Sequence, residues 1–341
     1  MQLKVAVVGA GSMGMNHLRV LKDLDGEHVQ LVGVAETSEP VLQRAVRRFH
    51  VAGYADYRQM IEETHPDLVS VVVPTHRHFE IASYVLDRGI HVLIEKPITN
   101  TLEEALALIR LACLRNARIA VGHIERFNPA VIELKRHLVA GELGQIFQLH
   151  ARRLGPFPSR ILDVGVTLDL ATHDIDVMRY LADAEVEGVY AETQRRIHNT
   201  HEDLLLGILR FSNDAIGILD VNWLTPTKVR ELSITGERGM YLVNYLTQDV
   251  YFYENDYTPT TWDALLAGIS EGTMTRLKVQ KAEPLRLEYE NVVAAICDDT
   301  APIVSGEDGL AVLRVALQLT ENTHKTALKM RQANVVIGVE A

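Results

Sequence analysis

The chain has 341 residues, only two cysteines and no surplus of positive charge: 34 lysines and arginines stand against 45 aspartates and glutamates, a net charge of −11. Cys113 and Cys297 lie far apart, each in an apolar, helical-looking stretch. Both are therefore expected as buried, reduced thiols, with a reducing cytoplasm as the expected home. The acidic balance argues against a nucleic-acid backbone as partner, since domains that bind one carry a basic face. It leaves room for a local basic pocket around a phosphorylated small molecule. No apolar run approaches the roughly 18 to 20 residues of a membrane span, and no basic leader or cleavable apolar segment precedes "LKVAVVGAG", so a soluble protein away from membranes is expected. Internal repeats, low-complexity tracts and flexible linkers are also missing.

What is present is ordinary globular stock, 47% apolar, in a length that suits two domains. From residue 3 on, apolar β-branched runs alternate with helical patterns: "LKVAVVG", "VQLVGVAE", "LVSVVVP", "HVLIEKP" and "RIAVGH" are separated by "SEPVLQRAVRRFH", "FEIASYVLDRG" and "TLEEALALIRLACLRN". Strands apolar on both faces that alternate with helices predict an α/β, doubly wound parallel sheet, closing near Gly122. Beyond it the rhythm changes. A helix "PAVIELKRHLVAG" leads to a strand "QIFQLHARRLG". After a helix over 165–183, strand-like runs separated by turn signals such as "SND" and "GERG" predict a mostly antiparallel open sheet. Residues 284–299 and 306–332 read as helices. The expected domains are 1–122 and 123–341, the second of α+β type.

The run "GAGSMG" sets Gly9, Gly11 and Gly14 in G-x-G-x-x-G spacing after a strand, with Ser12 and Met13 opening a helix. The first glycine permits the tight turn, the second lets backbone approach a pyrophosphate, and the third admits close helix packing. The helix N–H groups then meet the phosphate. Glu36 ends the next strand, where an acid bonds both ribose hydroxyls. Thr37 and Ser38 follow it, with no adjacent arginine for a 2′-phosphate, so NAD is expected rather than NADP. Arg44, Arg47 and Arg48, on the next helix, read as a solvated face.

Glu95 and Lys96 follow another strand, and ligands in open α/β sheets sit beyond the carboxyl ends of strands. Pro97 restricts the residue before it. A plain Lys-Pro surface turn is the alternative. In "GVTLDLATHDIDVMRYLAD", residues 165–183, Asp169, His173 and Asp176 fall within about 60° of one another on a helical wheel. The rest of that helix is apolar over an arc wide enough to be buried on more than one side. The polar stripe has to face water, a partner or a cavity.

Together "GAGSMG", "VVVPTHRHFEIA", "EKP", "ERFNPA" and "DLATHDIDVMRYL" resemble the glucose-fructose oxidoreductase/inositol dehydrogenase/MocA family along essentially the whole chain. The resemblance implies an N-terminal Rossmann domain and a C-terminal α/β domain whose open sheet joins subunits into a homo-dimer or homo-tetramer. It implies that Lys96, Asp169 and His173 are the catalytic residues and that Pro74, Thr75 and His78 run past the nicotinamide. His173 then accepts a hydroxyl proton as hydride leaves the same carbon, Asp169 steers the imidazole, and Lys96 shares or relays the proton. Asp176 is expected to be structural, pairing with Arg179 or another base.

Within the family, "VGHIERFNPAV" and residues 151–181 are similar to the enzymes that oxidise the 3-hydroxyl of UDP-N-acetylglucosamine to a 3-keto nucleotide sugar, which an aminotransferase can take up. A diphosphate needs local cations, and arginine's planar fork suits it. Arg126 and Arg160 are the candidates, with Asn128 as a further substrate contact or else a helix cap before Pro129. Arg152 and Arg153 alternate along a strand, so at most one of them faces the site. Trp223, Thr225 and Pro226 either border the substrate or belong to the core. Other readings are a different sugar or inositol dehydrogenase, a catalytically silent NAD-binding regulator, and a metalloenzyme using "HRH" at 76–78 or "HNTHED" at 198–203; no metal is expected.

Overall fold

Short runs that end in glycine or proline become strands because each is apolar on both faces, and only a sheet covered on two sides buries them. The computed structural model describes residues 2–158, 164–198, 200–256 and 270–337. Packing divides the chain into two units, 1–127 with 282–314, and 128–281 with the residues from 315 on.

Unit 1 contains β1 (Leu3–Val8), α1 (Ser12–Leu24), β2 (Val29–Ala35), α2 (Glu39–Phe49), β3 (Gly53–Tyr54), α3 (Tyr57–Thr64), β4 (Leu68–Val71), α4 (His78–Asp87), β5 (His91–Ile94), α5 (Leu102–Arg115) and β6 (Ile119–Val121). Among the described residues its sheet has six strands in the order β3-β2-β1-β4-β5-β6, every pair parallel. The order reverses between β1 and β4, the point at which such sheets bind ligands. Val5 and Val7 of β1 pack with Leu18 and Leu21 of α1 and with Leu42 and Phe49 of α2.

Unit 2 begins with α6 (Pro129–Val139) and β7 (Ile146–Pro156). One turn of π-helix, Thr167–Ala171, runs into α7 (Thr172–Ala182). The strands β8 (Val186–Gln194), β9 (Leu204–Phe211), β10 (Ile216–Asn222), β11 (Leu224–Gly236), β12 (Gly239–Asn244), β13 (Asp249–Asp256) and β14 (Ser270–Arg276) complete a sheet in the order β14-β13-β12-β11-β7-β10-β9-β8. All pairs in it are antiparallel except β10 with β7. Burial alternates residue by residue along β9, as a sheet covered on one face requires. The open face carries a ladder of charge, Arg152 between Asp220 and Glu231 in register across β10, β7 and β11. It also exposes Tyr190, Leu206, Ile208 and Ile216.

Three expectations change. The second domain does not run unbroken to the C-terminus: α8 (Pro284–Cys297) and the start of α9 (Gly306–Ile337) belong to unit 1. Leu285, Tyr289, Val292 and Val293 of α8 share the core of β1, α1 and α2. Cys113 and Cys297 are exposed, not buried. Each sits in the last turn of its helix, α5 or α8, where the chain leaves the packed interior. Finally β3, α3 and β14 are additional elements, the first a strand of only two residues.

Candidate active site

At the carboxyl ends of β1, β2 and β4, unit 1 holds a cleft of about 300 Å3, lined by Gly9, Gly11, Glu36, Thr37, Val73 and Pro74 among others. Its floor requires glycine. Gly9 has φ +100°, and a Cβ there would stand 2.1 Å from the Val72 carbonyl oxygen; one on Gly14 would stand 2.1 Å from the carbonyl oxygen of Gly9. At Gly11 an added Cβ meets nothing within 4 Å, so this is the open side. Among the described residues the N-cap of α1, Gly11, provides no side-chain cap, whereas Asp56 caps α3 and Thr101 caps α5. Ser12 is exposed and Met13 partly so at that first turn. An uncapped N-terminus beside a glycine that leaves room is suited to an anion.

Glu36 completes the cleft. Its carboxylate accepts hydrogen bonds from the N–H groups of Ala10 and Ser38, both at 2.9 Å, which fixes it over the glycine turn. Arg44, Arg47 and Arg48 are exposed on α2. These features fit a dinucleotide with a free ribose diol, and NAD is the cofactor of this fold. Tyr57, His76 and Arg77 also line the cleft. The sequence reading missed them as cofactor neighbours, although "PTHR" directly after β4 lies at the chain reversal and was the available signal.

His78 has another place. It is buried, with Nδ1 2.9 Å from the Pro97 carbonyl oxygen and Nε2 2.8 Å from that of Val73, and burial pushes its pKa down. The ring ties the segment after β4 to the one after β5 and is not among the cleft's lining. Thr75 opens a short 3₁₀ turn, Thr75–Arg77. Lys96 is half-buried, and the Lys96–Pro97 bond is cis. Its N–H donates to Glu95 Oε2 at 3.1 Å. Burial raises the Glu95 pKa, but a hydrogen bond from His17 and the charge of Lys96 outweigh that and hold the carboxyl below its ordinary value.

Arg126 and Asn128 are committed within their own units. Arg126 is buried and donates to Asp308 at 2.8 Å and to the Ile303 carbonyl at 3.0 Å. Asn128 caps α6, accepting from the Ala130 N–H at 3.1 Å, and donates to the Tyr245 carbonyl. For Asn128 this is the helix cap that the sequence allowed as its alternative role. Arg160 lies outside the described residues.

In unit 2, Asp169 sits in the π turn and His173 in the first turn of α7, both half-buried. Asp176 is fully buried, and Arg179 donates to Glu185. Asp174, which the sequence reading passed over, forms a buried two-point pair with Arg153, at 2.7 and 3.0 Å. Arg153 points inward from β7 while Arg152 points to the open face, so the inward cation is neutralised by α7. Trp223 is buried against the rings of Phe157 and His198. His198 Nδ1 accepts from the N–H groups of Thr200 and His201, and Asp203 accepts from those of residues 196–198. Among the described residues no three metal-ligating side chains gather at 76–78 or 198–203. No described helix is long and apolar enough to cross a membrane.

Two family descriptions match the chain: "Oxidoreductase family, NAD-binding Rossmann fold" of the GFO/IDH/MocA group over residues 3–123, and "GFO/IDH/MocA C-terminal domain" over 131–242. The UDP-N-acetylglucosamine 3-dehydrogenase of Acidithiobacillus ferrooxidans is 28% identical over 322 residues, 93% of this chain and 96% of that one. Inositol 2-dehydrogenase 1 of Saccharopolyspora erythraea is 30% identical over 326 residues, 93% and 92% of the two chains. The solved structure of the Acidithiobacillus enzyme superposes with a TM-score of 0.82 at 26% identity, covering 94% of this chain and 98% of that one.

Proposed function

We propose a reaction for this chain from one premise: it belongs to the GFO/IDH/MocA oxidoreductase family, and its N-terminal domain is an NAD-binding one. The reaction is oxidation of a sugar secondary alcohol, with the 3-hydroxyl of UDP-N-acetylglucosamine as substrate and the 3-keto nucleotide sugar as product. The observation that carries the redox reading is Glu36, fixed by Ala10 and Ser38 over an uncapped glycine turn at the reversal of the sheet. Similarity along nearly the whole chain supports the choice of sugar.

In this reading Gly9, Gly11, Ser12, Met13 and Gly14 hold the pyrophosphate, Glu36 the ribose, and Pro74 and Thr75 the nicotinamide side, while His78 fixes their loop. Bound NAD supplies the hydride acceptor. His173 takes the hydroxyl proton, Asp169 orients its imidazole, and Lys96 holds the hydroxyl oxygen in hydrogen-bonding reach or relays the proton. Arg160 is retained for the diphosphate; Arg126 and Asn128 are not, because their partners already use them. A second copy of the chain covers the apolar open face around Tyr190, Leu206, Ile208 and Ile216, giving a homo-oligomer; sedimentation as a monomer would remove that part. The enzyme works in the cytoplasm and hands its keto product to an aminotransferase.

The test is NADH formation by the purified protein with a panel of UDP-sugars, inositols and free sugars. Lys96→Ala and His173→Ala should each lower kcat by at least ~100-fold with NAD affinity retained. A variant that turns over at the parental rate ends its residue's assignment. Turnover of inositols alone would replace the nucleotide sugar by a cyclitol, the second reading, which the whole-length similarity to inositol 2-dehydrogenase 1 favours.

A further inference from the structure

Behind Lys96, unit 1 contains a buried cluster that the reaction above does not use. Ser70 Oγ lies 2.7 Å from Tyr289 Oη, Tyr289 Oη lies 2.7 Å from His17 Nδ1, and His17 Nε2 lies 2.9 Å from Glu95 Oε1. Glu95 Oε2 accepts the Lys96 N–H. Ser70, Tyr289 and His17 are fully buried and come from β4, α8 and α1. The Glu95 carboxylate lies over Gly122, where a Cβ would come within 3.0 Å of Oε2.

The directions follow from chemistry. An ionised carboxylate only accepts, so His17 Nε2–H donates to Glu95. In neutral His17 the other nitrogen accepts, so the Tyr289 O–H donates to Nδ1, and the Tyr289 oxygen is left to accept from Ser70. Every donor points towards one anion, and that anion holds the backbone of Lys96. The second acid nearby does not compete. Glu288 is buried, has no hydrogen-bond partner for either carboxyl oxygen among the described residues, and is pushed well above the ordinary carboxyl range by burial and then by the charge of Glu95.

We propose that His17 and Tyr289 are positioning residues for Lys96, acting through Glu95: the relay from Ser70 to His17 orients the Glu95 carboxylate, which holds the lysine's backbone. The inference rests on the role given to Lys96. Glutamine is the informative replacement for His17, because its amide offers an N–H to Glu95 and an oxygen to Tyr289.

The experiment uses the full chain with NAD and UDP-N-acetylglucosamine, or whichever sugar of the panel is turned over, together with amide hydrogen exchange of the Lys96 segment. His17→Ala should lower kcat about tenfold or more, leave the KM for NAD within about twofold, and speed exchange of the Lys96 amide about tenfold. Tyr289→Phe should show the same pattern more weakly, and His17→Gln should restore both readouts to within about threefold of the parent. Should His17→Ala not fold, Tyr289→Phe and His17→Gln decide alone. The relay is overturned if Lys96→Ala abolishes turnover while these variants keep parental kcat and exchange, or if His17→Gln is as impaired as His17→Ala. If Lys96→Ala keeps turnover, the lysine assignment fails and the relay loses its catalytic purpose, whatever the exchange shows.

Discussion

In unit 1 the cofactor cleft is made mainly of backbone: a carbonyl against Gly9, the N–H groups of Ala10 and Ser38 on one carboxylate, and an uncapped helix start. In unit 2 the helix carrying His173 is held by side chains, through the buried pair of Arg153 with Asp174 and the pair of Arg179 with Glu185. Backbone geometry leaves a signature in short sequence, because glycine is demanded where a Cβ has no room. Side-chain pairs join residues whose separation carries no pattern. The difference teaches where substitution hurts the fold and where it hurts only the ligand.

The largest effect is expected in unit 2. Asp174→Ala leaves the Arg153 guanidinium buried without its carboxylate, a loss of about 3–5 kcal/mol, measured by denaturant unfolding. Replacing both residues by apolar ones of similar volume should recover most of it. An Asp174→Ala variant as stable as the parent would mean that this pair does not hold α7.

The glycine turn sharpens the comparison from the other side. Gly9→Ala puts a methyl on the Val72 carbonyl at a positive φ and should cost about 2–4 kcal/mol together with NAD binding. Gly11→Ala meets open space and should change stability by no more than about 0.5 kcal/mol. Its methyl stands where a phosphate would approach, so calorimetry should show NAD affinity down about tenfold in a stable protein. Equal stability losses for the two alanines would erase the distinction.

These same features decide what was readable in the chain. The parallel sheet, the glycine turn and Glu36 were legible because β-branched runs, glycine spacing and strand ends are local. The stripe of Asp169, His173 and Asp176 was drawn on an ideal wheel, yet the helix opens with a π turn, and Asp174 faces the buried arginine instead. Arg126 looked like a free cation because Asp308 stands far down the chain. Asn128 allowed two readings, and the structure shows it as the cap of α6. The two-residue strand Gly53–Tyr54 is too short for any periodicity to show.

A pH-dependent effect concerns Glu288. Its pKa in the folded chain is raised, so between the ordinary carboxyl value of 4.5 and the raised one the native state binds more protons than the unfolded state. Stability from this group is therefore intact at low pH and falls as pH rises. Glu288→Gln, neutral throughout, should match the parent near pH 4.5 and gain on it towards pH 8, by at most about 1.4 kcal/mol per pH unit. Unfolding midpoints across that range check the slope, and a constant difference would place the carboxyl in another protonation state. Turnover should be unchanged.

The return of residues 282–314 into unit 1 sets an order on biosynthesis. A ribosome releases the glycine turn first, but the hydrophobic interior beneath it stays unfinished until α8 emerges, long after the rest of the parallel sheet. An excised fragment ending at Gly122 would lack Leu285, Tyr289 and Val292 from that interior, so the dinucleotide unit is a joint product of two stretches of chain far apart in sequence.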